Sequence, residues 1–210
     1  MSLDLANPII YLITKGDATP ANFDDASRQI LDIVNVAVEE NIPLIQIREK
    51  NLTAKLLFEL TSKAVKITKG SSTRVLVNDR ADIATAARAD GVHLTSRSIS
   101  TEVIRKTFGS EFIIGVSTHN IDEAKGAVAG RADFIVFGPV FETPGKGEAS
   151  GLAALSEVCD KLDAFPVLAL GGVDLENYRS VLDAGATGFA AIRSLNDADE
   201  LRAISTELRK

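Results

Sequence analysis

Three polar side chains leave one apolar run at alternating positions: Gln46, Arg48 and Lys50 in the segment Gln46-Ile47-Arg48-Glu49-Lys50. Alternation along a strand sends all three to one face. Arg48 offers a bidentate fork there and Lys50 a point charge, a combination suited to gripping a phosphoryl group. The competing reading is a solvated strand end with Arg48 paired to Glu49. A second polar end is Val77-Asn78-Asp79-Arg80. Its Asp79 is either a magnesium ligand or the N-cap of a helix running through Ile83.

Gly115-Val116-Ser117-Thr118-His119-Asn120 places a hydroxyl and an imidazole after another apolar run. His119 is able to exchange a proton near neutral pH, or it is a plain loop residue before a helix. His93, inside Gly91-Val92-His93-Leu94, reads as a packed or locally bonded histidine without a catalytic role. Gly171-Gly172-Val173 and Ile192-Arg193-Ser194 follow the last two apolar runs. Adjacent glycines let backbone N–H groups approach an anion closely, and Arg193 adds charge beside them.

These groups need a scaffold that carries them to one place. Eight apolar runs of strand length recur: 9–13, 43–47, 74–77, 91–94, 112–116, 134–137, 166–170 and 188–192. They are continuous rather than alternating, as in parallel strands buried on both faces. Between them lie stretches of helical period, such as Ile30, Ile33, Val34, Ala37 and Val38, and then Leu56, Leu60, Ala64 and Ile67. Asn120 ahead of Ile121-Asp122-Glu123 resembles a capping box, and Ser98 or Ser100 is placed to cap the helix through Phe108. Gly70, Gly109, Gly130 and Gly185 stand where helices end in a left-handed residue. Strand and helix alternating eight times predict an α/β fold, a single-domain (β/α)8 TIM barrel over residues 1–210, with an open doubly wound sheet as the other arrangement. In such a barrel, catalytic groups lie at the C-terminal ends of the strands, and phosphate sits between the loops after the last two. The segment 138–151, rich in proline and glycine, predicts a mobile loop over that face.

Composition narrows the partners. A net charge of -6 over 210 residues gives no electrostatic reason to bind nucleic acid or an anionic membrane. One cysteine precludes an internal disulfide, and two histidines with it do not make a zinc site, so any metal is a hard cation on oxygen ligands. No run approaches the roughly 18 apolar residues that a membrane helix needs, and Met1-Ser2-Leu3-Asp4 does not open like a signal peptide. The expectation is a cytoplasmic protein acting on phosphorylated small molecules, as a homodimer.

The ordered set Gln46-Ile47-Arg48-Glu49-Lys50, Val77-Asn78-Asp79-Arg80, Asp90-Gly91-Val92-His93-Leu94, Gly115-Val116-Ser117-Thr118-His119, Gly138-Pro139-Val140-Phe141, Thr143-Pro144-Gly145-Lys146 and Gly171-Gly172-Val173 resembles the thiamine phosphate synthase and TenI family over nearly the full length. The resemblance implies a barrel that couples hydroxymethylpyrimidine diphosphate to thiazole phosphate, giving thiamine phosphate and pyrophosphate. It implies that Gln46, Arg48, Lys50 and Asn78 grip the diphosphate and pyrimidine, that Asp79 binds magnesium, and that Ser117 and Lys146 complete the anion cage. Thr143, Gly171, Gly172 and the turn at Ile192 would seat the thiazole phosphate.

The sequence departs from the family pattern at three places. Ser98 stands where synthases carry a second magnesium-binding Asp, and reads as a helix cap. The usual Thr-x-Thr-Lys loop is Thr143-Pro144-Gly145-Lys146, and Arg193 replaces the usual serine after the eighth strand. Two other readings therefore stand beside the synthase: a TenI-type thiazole tautomerase with His119 as acid and base, and a non-catalytic barrel that binds a phosphorylated ligand.

Overall fold

The computed structural model describes residues 8–143 and 148–209. In chain order its elements are β1 (Ile9–Ile13), α1 (Phe23–Glu39), β2 (Leu44–Ile47), α2 (Ala54–Thr68), β3 (Arg74–Asn78), α3 (Ala81–Ala87), β4 (Gly91–Leu94) and α4 (Thr101–Phe108). They continue with β5 (Ile113–Thr118), α5 (Ile121–Ala129), β6 (Phe134–Phe137), α6 (Gly151–Leu162), β7 (Val167–Leu170), α7 (Tyr178–Asp183), β8 (Gly188–Ala191), a 3₁₀ turn (Ser194–Asn196) and α8 (Ala198–Leu208). The strands follow one another in sequence order and close into a barrel, as the alternating pattern predicts. β3 and β5 run further than their apolar runs, so Asn78 and Ser117 lie within strands rather than after them.

By packing, the chain divides into two compact units. In the unit of Tyr11–Val92 with the segment from Ile192, parallel pairing sets Ile13 beside Gln46, and Gln46 beside Leu76. The α1 stripe is buried through Ile30, Ile33, Val34 and Ala37, with Val38 at its edge. The α2 stripe lies one position round from the expected one. Leu57, Leu60, Thr61, Ala64 and Thr68 are buried, while Leu56 and Ile67 are half-buried. Two threonines carry the buried edge of this helix, which a count of aliphatic residues alone passes over. The C-terminal helix is fastened to α1 where Ser205 Oγ and Arg209 Nη2 donate to the Glu40 carbonyl.

In the unit of His93–Ala191 with Ile10 and the described residues before it, the registers put Ser117 beside Val136, Phe137 beside Ala169, and Ala169 beside Phe189. Phe134, Phe137 and Phe189 are wholly buried, each worth about 1.5–3 kcal/mol of transfer free energy. Asn120 caps α5 as expected, its Oδ1 accepting the Glu123 N–H at 2.9 Å.

The α4 cap differs from expectation. Ser100 takes the N-cap position without a side-chain bond, and Ser98 instead closes the preceding turn by accepting the Thr95 N–H at 2.8 Å. Gly70, Gly109 and Gly185 have the positive φ predicted for them, but Gly130 does not. Its φ is -75°, and the following Arg131 adopts +66°. Gly130 serves packing, since a Cβ there would stand 2.8 Å from Thr101 Cβ.

Candidate active site

In the unit built on β1–β3, Gln46 is 1% exposed and its Nε2 donates to the Tyr11 hydroxyl at 3.1 Å. Burial pushes that hydroxyl far above its ordinary pKa, and the Gln46 bond offsets only part of the rise, so Tyr11 stays protonated. The strand ends at Ile47, so its alternation reaches neither Arg48 nor Lys50. Arg48 is half-buried and Lys50 exposed. Glu49 does not pair with Arg48 as the solvated reading has it; its carboxylate turns inward onto the loop after β1. Ile47 stands beside Val77, and the residues that follow them are Arg48, just past β2, and Asn78, the last of β3.

Asp79 is not a helix cap. The N-cap of α3 is Arg80, which makes no side-chain cap bond and instead forks onto Asp82 at 2.8 and 2.6 Å. Asp79 is exposed with φ +63°. That left-handed conformation is uncommon for a residue with a Cβ, and such strain concentrates where function needs it. Among the described residues no group of three or more His, Cys, Asp or Glu stands together. Asp79 is thus a single carboxylate at this strand end and does not make an all-protein metal cage. After β8, Arg193 is exposed and takes the N-cap position of the 3₁₀ turn. Asn196 Nδ2 ties that turn to the Ile192 carbonyl at 2.6 Å and the Ile13 carbonyl at 2.7 Å.

In the unit built on β5–β8, Ser117 is half-buried and its Oγ lies 2.8 Å from His93 Nε2. The local bonding expected of His93 therefore reaches a residue singled out for chemistry. His119 is exposed, with Nδ1 3.1 Å from Glu123 Oε2, which also accepts the His119 backbone N–H at 2.8 Å. Partial burial disfavours the Glu123 carboxylate, but the His119 side chain and backbone outweigh it and hold the carboxyl below its ordinary range.

The start of the 138–151 segment extends the strand pairing: Val140 and Phe141 N–H donate to the Leu170 and Gly171 carbonyls at 2.8 and 3.0 Å. Gly138–Pro139 is a cis peptide. Thr143 Oγ1 donates to the Phe141 carbonyl. Lys146 and the rest of 144–147 lie outside the described residues. Gly171 and Gly172 have φ of +103° and +67°, and a Cβ on either would lie within 2.8 Å of the 139–141 segment. Only glycines let this turn lie against that backbone. Sequence reasoning missed Thr14 and Gly16 as the neighbours of Arg48, Glu49 as the acid that holds their loop, and His93 as the partner of Ser117.

A closed parallel barrel with polar groups at its strand ends defines the (β/α)8 class. The chain belongs to the thiamine monophosphate synthase family, whose model matches residues 10–195. It is 35% identical over 202 residues to the thiamine-phosphate synthase of Clostridium novyi, covering 95% of this chain and 96% of that one. It is 34% identical over 203 residues to that of Roseiflexus sp., covering 95% and 83%. A solved structure of thiamine phosphate pyrophosphorylase from Pyrococcus furiosus superposes with a TM-score of 0.80 at 30% identity, covering 96% of this chain and 93% of that one.

Proposed function

We propose that this chain, acting as one barrel domain, is a thiamine phosphate synthase, a transferase that joins hydroxymethylpyrimidine diphosphate to thiazole phosphate and releases pyrophosphate. The observation that carries the reading is kinship with a thiamine-phosphate synthase over 95% of this chain and 96% of that one; by resemblance, Gln46, Arg48, Lys50, Asn78, Asp79 and Lys146 match the family's pattern. In this reading Arg48 and Lys50 grip the diphosphate, with Asn78 beside Arg48 and Lys146 added by resemblance. Buried Gln46 backs the pyrimidine end. Thr143, Gly171, Gly172, Ile192 and Arg193 receive the thiazole phosphate.

The reaction breaks the bond between the pyrimidine methylene carbon and the diphosphate oxygen, and forms one between that carbon and the thiazole nitrogen. Negative charge grows on the leaving group, so cations held against it stabilise the transition state more than the ground state. Asp79 would hold a magnesium ion arriving with the diphosphate, which supplies further neutralisation there. In this reading Ser117 Oγ, held by His93, would hydrogen-bond the anion. No protein nucleophile is required. The reading carries with it a cytoplasmic location and a pair of chains in solution, which sedimentation velocity checks.

The test is direct assay. The purified chain with both phosphorylated halves of thiamine and magnesium is expected to yield thiamine phosphate and one equivalent of pyrophosphate. A second reading, the thiazole tautomerase, has one observation in its favour: Glu123 orients the exposed His119 imidazole for proton exchange. Absence of thiamine phosphate, with tautomer conversion lost in His119→Ala, decides for it. Stabilisation by thiazole phosphate without turnover of either kind decides for a binding barrel.

A further inference from the structure

Glu49 is an acid that the proposed reaction leaves unused, yet it is 2% exposed. A buried carboxylate needs several donors to offset its lost hydration. Three meet it. Oε1 accepts the Thr14 hydroxyl at 2.5 Å and the Gly16 N–H at 3.0 Å, and Oε2 accepts the Ala18 N–H at 2.9 Å. All three donors belong to the loop after β1, so one side chain sets the path of that loop.

The loop in turn bears on Arg48. Thr14 Oγ1, whose proton goes to Glu49, accepts the Arg48 N–H at 2.8 Å. Gly16 has φ +84°, and a Cβ there would stand 2.8 Å from Arg48 Nη1 and 3.0 Å from the Arg48 carbonyl oxygen. The guanidinium thus lies against bare backbone whose position Glu49 dictates. A fork held in place before the anion arrives loses less freedom on binding than one that must be collected from solvent.

We infer that Glu49 is a positioning residue that seats Arg48 for an anion by holding the Thr14–Gly16 loop beneath it. The inference rests on the reading of Arg48 as a diphosphate-gripping group. Neither the strand pattern nor the ion-pair alternative for Glu49 contains it, because it depends on where the loop after β1 runs.

The probe is inorganic pyrophosphate with magnesium, titrated calorimetrically into the wild-type chain, Glu49→Gln, Arg48→Ala and the double variant. Glutamine keeps the shape but turns an NH2 toward at least one of three donors. Glu49→Gln is expected to weaken binding about tenfold, the size typical of groups that orient a binding side chain, with less than about a twofold further loss in the Arg48→Ala background. Equal losses in both backgrounds would overturn the inference, since they mark a general structural effect.

A ligand-free measurement separates it from the synthase reading: motion of the Arg48 Nε–H by nitrogen relaxation is expected to increase in Glu49→Gln. Failure of the wild-type chain to bind pyrophosphate sinks the substrate reading alone, and unchanged Arg48 motion then sinks this one. Should Glu49→Gln not fold, Thr14→Val cuts the link to Arg48 while sparing the Gly16 and Ala18 bonds. It is expected to show the same non-additivity, and additive loss would overturn the inference.

Discussion

His93 Nε2 and Ser117 Oγ lie 2.8 Å apart, one on the fourth strand and the other on the fifth. A neutral imidazole presents one donor and one acceptor nitrogen, so the tautomer of His93 decides whether the hydroxyl points its proton or its lone pair outward. His93 is 3% exposed and tilts against Phe134, which leaves it little rotational freedom. Ser117→Ala is expected to lower kcat/KM by about 100-fold, as for loss of one positioned transition-state donor. His93→Phe keeps the packing and is expected to lose about tenfold, with little further loss when combined with Ser117→Ala. Additive losses would mean that the two act separately.

What could be read beforehand follows from what each physical rule reaches. The eight strands were legible because burial on both faces makes each an unbroken apolar run. The Asn120 cap was legible because its partners are three residues away. Glu49 was not, since alternation constrains a side chain only while the strand lasts and β2 ends at Ile47. Between the two readings of Asp79, cap or metal ligand, residue type does not choose, because a type-based rule cannot see φ +63°. The His93–Ser117 bond depends on how β4 meets β5, and no local pattern encodes that.

Asp79→Asn tests the carboxylate without disturbing the backbone, because asparagine tolerates the left-handed region as readily as aspartate. The expected result is normal folding with the magnesium concentration for half-maximal rate raised about tenfold or more. Initial rates over a magnesium series at saturating substrates measure it. An unchanged magnesium dependence would remove Asp79 from the metal and leave the diphosphate alone to carry the ion.

Arg105 concerns stability rather than chemistry. It is 7% exposed, and its guanidinium donates to the carbonyls of Gly109, Ser110, Phe112 and Arg131 and to Asp133 Oδ2 at 2.7 Å. Asp133 also accepts the Ile114 N–H, so one fork fastens the end of α4 to the starts of two strands. Truncation leaves the carboxylate and several carbonyls without their donor. Arg105→Ala is expected to destabilise the chain by about 3–5 kcal/mol, in denaturant titrations followed by circular dichroism. Arg105→Lys recovers only part of this, since an ammonium cannot span the same acceptors.

Cys159 provides a pH signature that sets in well above neutrality. Burial in α6, with the Asp160 charge adding to it, pushes the thiol up to about 11. The unfolded chain ionises near the ordinary thiol value of about 8.5, so between these limits the folded state holds a proton that the unfolded state has lost. Stability from this group is therefore complete below about pH 8.5 and declines as pH rises toward 11. Other groups titrate in the same range, which makes the difference between the wild-type chain and Cys159→Ala the informative quantity. That difference in unfolding free energy is expected to be constant from pH 6 to about 8 and to shift against the wild-type chain at about pH 10. At neutral pH the same protonated, shielded thiol should react with a disulfide reagent only as fast as the native structure opens. A rapid stoichiometric reaction in the folded chain would contradict both parts, because it requires an accessible thiolate.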